Sequence, residues 1–204
     1  MFAGFSTEQQ QWFADGMAAN ARNGARALLS VVDFSGFEHL LDVGGNAGGY
    51  AIPIAIEHPT IRITIVDLPD VESLAHRRIH ESGLGSRVGF AAGSFFEPLG
   101  VSGDAILLSS ILHDWEEEDC LRILGNCYEA LAPGGTIVVT EPMLSDDYSG
   151  PDHPAASGLT MALLGGENRT RKQVGDLLQA AGFGDVWMTD VLPQNSVVTA
   201  KRTA

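Results

Sequence analysis

Positive charge is scarce in this chain: 12 Lys and Arg stand against 26 Asp and Glu, for a net charge of −14. Nucleic-acid binding needs clustered cations that displace counterions from phosphate, so no DNA or RNA partner is expected. The acidic surface is read as serving solubility. Cysteine is nearly absent. Cys120 and Cys127 fall seven positions apart on one expected helix, which at about 1.5 Å rise per residue separates them by roughly 10 Å. That is too far for a disulfide, and both are expected as buried thiols in a reducing compartment. Long apolar runs are missing too, none approaching the roughly 18 residues of a membrane span. Ser6, Glu8, Gln9, Gln10 and Gln11 occupy the region where an export signal needs an apolar segment. A cytoplasmic protein with no membrane partner is the expectation.

What is present is core material: 45% of 204 residues are hydrophobic, enough for one globular domain. Ser6-Thr7-Glu8-Gln9 reads as a capping box opening a helical segment with Trp12, Phe13 and Met17. A second helical segment carries Ala21, Ala25, Leu28, Leu29 and Val32 and ends near Phe34-Ser35-Gly36. From there β and α patterns alternate. Strands are expected at His39–Val43, Ile61–Asp67, Arg87–Ala91, Ala105–Ser109 and Thr136–Glu141, with helices near Gly49–Glu57, Val71–Ser82 and Glu116–Leu131. The last helix has Glu116 to Asp119 at its positive end, a core stripe of Leu121, Leu124, Tyr128 and Leu131, and Pro133-Gly134-Gly135 as its stop. Ser145–Pro154 reads as a surface loop. Thr170-Arg171-Lys172-Gln173 is another capping box, opening a helix that ends at Gly182. Asp185–Asp190 and Ser196–Ala200 read as a terminal antiparallel pair turning around Pro193-Gln194-Asn195. Alternating units imply an α/β fold, a doubly wound, mostly parallel sheet with helices on both faces. The chain divides into an amino-terminal helical segment, 1–35, on or over the cleft, and an α/β domain, 36–204.

The stretch Asp42-Val43-Gly44-Gly45-Asn46-Ala47-Gly48-Gly49 joins a strand to a helix. Such glycine turns let the backbone approach a nucleotide-like ligand. A dinucleotide fingerprint needs Gly at the first, third and sixth positions of a hexad. From Gly44 the third position is Asn46, and from Gly45 the third and sixth are Ala47 and Tyr50, so NAD and FAD are disfavoured. Asp42-x-Gly44-x-x-x-Gly48 instead suits the amino-acid end of a smaller cofactor. Asp67, closing the second strand, stands where a carboxylate accepts ribose hydroxyls. The bland alternative is a tight turn, with Asp67 as a helix cap. His76 and His80 lie one helical turn apart without an acid or cysteine to complete a site, so they read as a solvated face and no metal is expected.

Several blocks together resemble a known family: Asp42-Val43-Gly44-Gly45, Asp67-Leu68-Pro69, Gly93-Ser94-Phe95-Phe96-Glu97-Pro98, Ile111-Leu112-His113-Asp114-Trp115 and Leu131-Ala132-Pro133-Gly134-Gly135. They look like the small-molecule O-methyltransferases that use S-adenosyl-L-methionine and release S-adenosyl-L-homocysteine, plant caffeate-type and bacterial polyketide-tailoring enzymes among them. The resemblance implies the Rossmann-like class I methyltransferase fold, a seven-stranded sheet with an antiparallel last strand. It implies a transferase of secondary metabolism acting on a hydroxylated aromatic or polyketide-like acceptor. By the same resemblance Asp42, Gly44, Gly45, Gly48, Asp67, Leu68, Ser94, Phe95, Ser109 and Trp115 would contact the cofactor. Phe13, Met17, Met143, Met161 and Leu164 would line the acceptor pocket, a set whose spacing also suits plain core.

In this family a sulfonium donates its methyl to a phenolic oxygen, so the protein aligns the reactants and deprotonates the acceptor. A phenol of pKa about 10 is ionised to roughly one part in a thousand at neutral pH, and a base adds on the order of 10²–10⁴ in rate. His113 matches the family's base, and Glu141 matches the acid that orients and charge-stabilises it. The second such acid falls, by the register Gly165-Gly166-x-x-Arg169-Thr170, on Asn168. Without the resemblance, His113 reads equally well as a histidine bonding its own loop. Ser94 replaces the family's adenine-binding Asp, and Ser109 stands where plant members have Lys. Both changes point to a weaker cofactor grip. Members carry a longer helical region ahead of this domain that dimerises the enzyme and closes the pocket, so a homodimer, or a hetero-pair supplying that region, is expected. Two other readings use the same residues: a cofactor-binding auxiliary subunit, or a reaction in which the sulfonium supplies charge without transfer.

Overall fold

A computed structural model describes residues 20–192 and 195–203. The capping box at Ser6 and the helical segment with Trp12, Phe13 and Met17 lie outside these. A helix over 20–29 (α1) leads into β1 (His39–Val43), α2 (Ala51–Glu57), β2 (Arg62–Asp67), α3 (Glu72–Glu81), β3 (Val88–Ala92) and β4 (Gly103–Ser109). There follow α4 (Glu117–Ala130), β5 (Leu131–Glu141), α5 (Asp152–Leu164), α6 (Arg171–Ala180), β6 (Phe183–Leu192) and β7 (Asn195–Arg202).

The sheet order is β3-β2-β1-β4-β5-β7-β6, with β7 antiparallel to both neighbours and the remaining pairs parallel. This is the seven-stranded class I methyltransferase arrangement expected above. Burial on both faces explains why the strands read as continuous apolar runs. On one face Leu41, Val43, Ile106, Leu108 and Val139 pack under α4 and α6. On the other, Leu40, Ile63, Ile65, Ala105, Leu107 and Val138 meet residues of α1, α2 and α3, including Leu28, Ile54 and Ile79. Alternate residues of each strand serve opposite cores, which is the two-residue strand period at work.

Three expectations need correction. The buried stripe of α4 is Cys120, Ile123, Leu124, Cys127 and Ala130, one position off the expected one, with Leu121 and Tyr128 at its flanks. The cysteines, small hydrophobes in this setting, centre that face. Burial pushes the Cys120 thiol up to about 11 and that of Cys127 up to about 12. Second, β5 begins at Leu131, directly after α4, rather than at Thr136. Pro133-Gly134-Gly135 lies inside it as a bulge, where the register shifts between Gly103 and Ala105 and Gly134 takes φ +77°. Third, the segment read as loop up to Pro154 enters α5 at Asp152. That helix leaves Leu159 70% and Leu163 81% exposed, so it carries no one-sided apolar stripe to betray it.

Sheet order positions the site. From β1 the chain steps outward to β2 and β3, then returns to place β4 on the other side of β1. The crevice between the carboxyl ends of β1 and β4 is the topological switch point, where open α/β sheets take ligands.

Candidate active site

The loop after β1 is built from backbone. Gly44 (φ +72°) and Gly48 (φ +80°) occupy the left-handed region. A Cβ at Gly45 would stand 2.5 Å from Asp42 Cγ and 2.9 Å from its backbone oxygen. A side chain at Gly44 would run into Ile111 Cδ1, two residues before His113. The loops after β1 and β4 therefore touch across the crevice.

Asp42 is fully buried; its Oδ2 accepts from Ala51 N at 3.2 Å, and its Oδ1 has no hydrogen-bond partner among the described residues. Burial, reinforced by the charge of Asp67, pushes its carboxyl up to about 7. Tyr50, at the head of α2, is buried under α1, where a side chain at Gly24 would overlap its hydroxyl. Desolvation and the neighbouring Asp42 raise the Tyr50 phenol to about 12. Asp67 accepts from Asn46 N through Oδ2 and from Leu68 N through Oδ1, both at 2.7 Å, which ties the second strand to the glycine loop. Leu68 is 52% exposed beside it.

Ser94 caps its own turn, accepting from Phe96 N at 3.2 Å. Phe95, Phe96 and Trp115 form an edge-to-face cluster with centroids 4.7–5.9 Å apart. Phe95 also reaches the space above Gly44. Trp115 is partly buried against the core in this cluster. Ser109 ends β4 opposite Thr140 of β5.

His113 sits in a short helical turn, Leu112–Asp114, just past the carboxyl end of β4. Its Nε2 lies 3.5 Å from Asp114 Oδ1, and its Nδ1 is shut off from solvent with no hydrogen-bond partner among the described residues. Glu141 reaches the turn from the end of β5. Its Oε1 accepts from Ile111 N (3.0 Å) and Leu112 N (2.6 Å), so it holds the backbone of the turn. Burial raises the Glu141 carboxyl, and nearby His113, those two amides and Arg169 pull it back down. Asp114 is likewise raised by burial and lowered by His113. Asn168 is directed elsewhere. Its Nδ2 donates to Pro154 O and Ser157 Oγ, both at 2.7 Å, while its buried Oδ1 has no hydrogen-bond partner among the described residues.

Other assigned residues separate. Met143 is buried in the core cluster with Leu112 and Val174, and Met161 is half-buried on α5. Phe13, Met17 and the Leu164 side chain lie outside what the structure describes. His76 does have an acid beside it, Glu72 at 3.5 Å on the exposed face of α3. Sequence reasoning missed Arg169, Cys120 and Gly166, all of which grip the His113 turn. Arg169 served only as a register mark in the block Gly165-Gly166-x-x-Arg169-Thr170, the one signal that could have drawn attention to it.

The loop itself shows whether these residues suit S-adenosyl-L-methionine. Side chains at Gly44 and Gly45 are sterically disfavoured, and among the described residues the buried Asp42 Oδ1 lacks a donor, which a cationic amino group would provide. Asp67 keeps spare lone pairs for hydroxyl donors at the end of β2. The residues fit the group.

A family model for the O-methyltransferase domain matches residues 2–184. The 3-hydroxy-5-methyl-1-naphthoate 3-O-methyltransferase of Streptomyces sahachiroi is 41% identical over 177 residues, covering 85% of this chain and 51% of that protein. Aclacinomycin 10-hydroxylase RdmB of Streptomyces purpurascens is 41% identical over 160 residues, covering 77% of this chain and 42% of that one. The crystal structure of human N-acetylserotonin methyltransferase in complex with SAM matches with a TM-score of 0.88 at 28% identity, over 98% of this chain and 57% of that chain. The chain spans about half the length of the curated relatives it matches.

Proposed function

This chain belongs to the O-methyltransferase domain family, and from that premise we propose that it carries the catalytic domain of an S-adenosyl-L-methionine-dependent O-methyltransferase. The acceptor is a hydroxylated aromatic or polyketide-like small molecule of secondary metabolism. One observation carries the reading: the glycine loop after β1 and the His113 turn after β4 meet at the switch point, with Gly44 against Ile111. A cofactor gripped by the first faces a base presented by the second.

S-adenosyl-L-methionine, when bound, supplies an electrophilic methyl group on a positively charged sulfur. The chain does the rest. Asp42, Gly44, Gly45 and Gly48 receive the amino-acid end, Asp67 and Leu68 the ribose, and Ser94, Phe95, Ser109 and Trp115 the adenine side. His113 takes the acceptor's hydroxyl proton at Nε2, leaving the proton of the neutral ring on the buried Nδ1. The cation so formed is close enough to feel the Glu141 and Asp114 carboxylates. Glu141 and Asn168 act as positioning residues, the first through the backbone of the turn. Such a base is worth on the order of 10²–10⁴ in rate, and alignment of the two reactants more.

The first 35 residues are assigned to a helical segment over the cleft, and 36–204 to the catalytic domain. Ala21 lies where a side chain on Gly49 would fall, which supports that placement. Leu159 and Leu163 on α5 are left bare. In this reading a second copy, or a separate partner that supplies the helical region, covers them.

The test is labelled methyl transfer to hydroxynaphthoates and related phenols, read by product mass. The reading expects the acceptor to gain a methylene, and His113→Ala to abolish the gain. Because one relative is named a hydroxylase, gain of an oxygen atom instead would overturn it.

A further inference from the structure

We propose that Arg169 is a positioning residue for the reaction, its guanidinium clamping both ends of the His113 turn so that the imidazole points into the crevice. The inference rests on His113 being the base. Among the described residues nothing grips the ring strongly: its Nδ1 has no hydrogen-bond partner there, and its Nε2 has Asp114 Oδ1 at 3.5 Å, beyond a good hydrogen bond. The aim of the ring is therefore set by the backbone that carries it.

That backbone is held from several sides. Arg169 Nη1 donates to Leu112 O and Nη2 to Trp115 O, each at 2.8 Å, so one planar fork spans the turn with His113 inside the span. Glu141 takes the amides of Ile111 and Leu112 at the opposite end. The Cys120 thiol approaches the same two carbonyls at 3.3 and 3.5 Å. Glu167 N donates to His113 O at 2.8 Å, and Gly166 presses so close that a side chain there would strike that oxygen.

Arg169 is itself fixed. Its carbonyl accepts from Leu144 N at 3.0 Å, and the next residue, Thr170, is locked in the capping box that opens α6. Its side chain is only 6% exposed, and Glu167, 3.8 Å away, is an exposed and loose partner. The Arg169 fork is spent on the turn rather than on an ion pair. A lysine ammonium, a point charge, could serve one carbonyl but not bridge both in plane.

The test uses the full chain labelled with ¹⁵N in its histidine rings. Arg169→Met and Arg169→Lys are compared with wild type by ring-nitrogen NMR, by S-adenosyl-L-homocysteine affinity and by kcat and KM. Clamping predicts that in Arg169→Met the His113 ring signals shift and split while those of the other histidines stay in place. It predicts cofactor-product affinity within about twofold of wild type, kcat lower by about 10²-fold with KM little changed, and partial rescue by Arg169→Lys. A folded Arg169→Met with wild-type His113 signals would overturn the proposal. If Arg169→Met does not fold, Arg169→Lys decides in the same way: displaced His113 signals support the clamp and unmoved ones refute it. His113→Ala reports separately on the base. Turnover that survives it, with His113 signals displaced in Arg169→Met, would mean the clamp stands and the base assignment falls.

Discussion

The glycine loop after β1 and the His113 turn after β4 lie side by side, yet they are held by different kinds of contact. In the glycine loop the ties are short in sequence: Asp42 to Ala51 spans nine residues and Asn46 to Asp67 spans 21. The steric demand sits in the glycines themselves. The His113 turn is held from afar, by Glu141 across 29 and 30 residues and by Arg169 across 57 and 54. A ligand cradle can be written into one βα unit. Aiming His113, the proposed base, needs strand β5, helix α4 and the segment before α6 to converge.

If the two halves are separable in this way, the largest effect comes from the base alone. His113→Ala should lower kcat by about 10²–10⁴ and leave S-adenosyl-L-homocysteine affinity unchanged in calorimetry. A parallel loss of affinity would break the comparison.

The next effect belongs to the glycine half and appears in pH. The folded Asp42 carboxyl titrates near 7, against an ordinary value of 3.8. Between those limits the folded chain keeps a proton that the unfolded chain releases, so stability is highest below about pH 4 and falls as pH rises to about 7. A shift of that size corresponds to roughly 4 kcal/mol at most. Asp42→Asn should flatten the slope of chemical-denaturation stability across this window. S-adenosyl-L-homocysteine, whose amino group favours the charged carboxylate, should raise Tm more at pH 8 than at pH 5. An equal slope in Asp42→Asn would contradict the assignment.

Gly45→Ala forces a methyl against the Asp42 carboxylate and should cost about 1–3 kcal/mol by denaturation, with cofactor-product affinity falling alongside. Normal affinity would show that the loop does not shape the cradle. Smallest is Thr170→Ala, which removes the side chain of the observed capping box and should cost about 1 kcal/mol. A loss several times larger would mean that the stability of α6, and not only the Arg169 fork, supports the turn.

The same contrast governs what could be read from the amino acids alone. The glycine loop, its Asp67 and the succession of strands and helices were legible because local pattern determines them: alternating βα units, a glycine turn, an acid closing the next strand. His113 was legible through its motif, but the way it is held was not. Glu141 was expected to orient and charge-stabilise the ring, and its hold on the amides of Ile111 and Leu112 is a backbone contact that the motif did not announce. Asn168 was expected beside the ring and is bound to the first turns of α5, a helix hidden by its lack of a one-sided apolar stripe. Arg169 carries no local signal for a contact 57 residues away. Contacts between distant segments depend on packing, which composition and periodicity do not encode.

The most direct measurement is calorimetric titration of the chain with S-adenosyl-L-homocysteine at neutral pH, with Gly45→Ala in parallel. Binding of about micromolar Kd, near −8 kcal/mol, is expected for the chain and lost or sharply weakened in the variant. No heat and no gain in Tm with the unaltered chain would contradict the claim that the crevice between β1 and β4 holds the methyl donor.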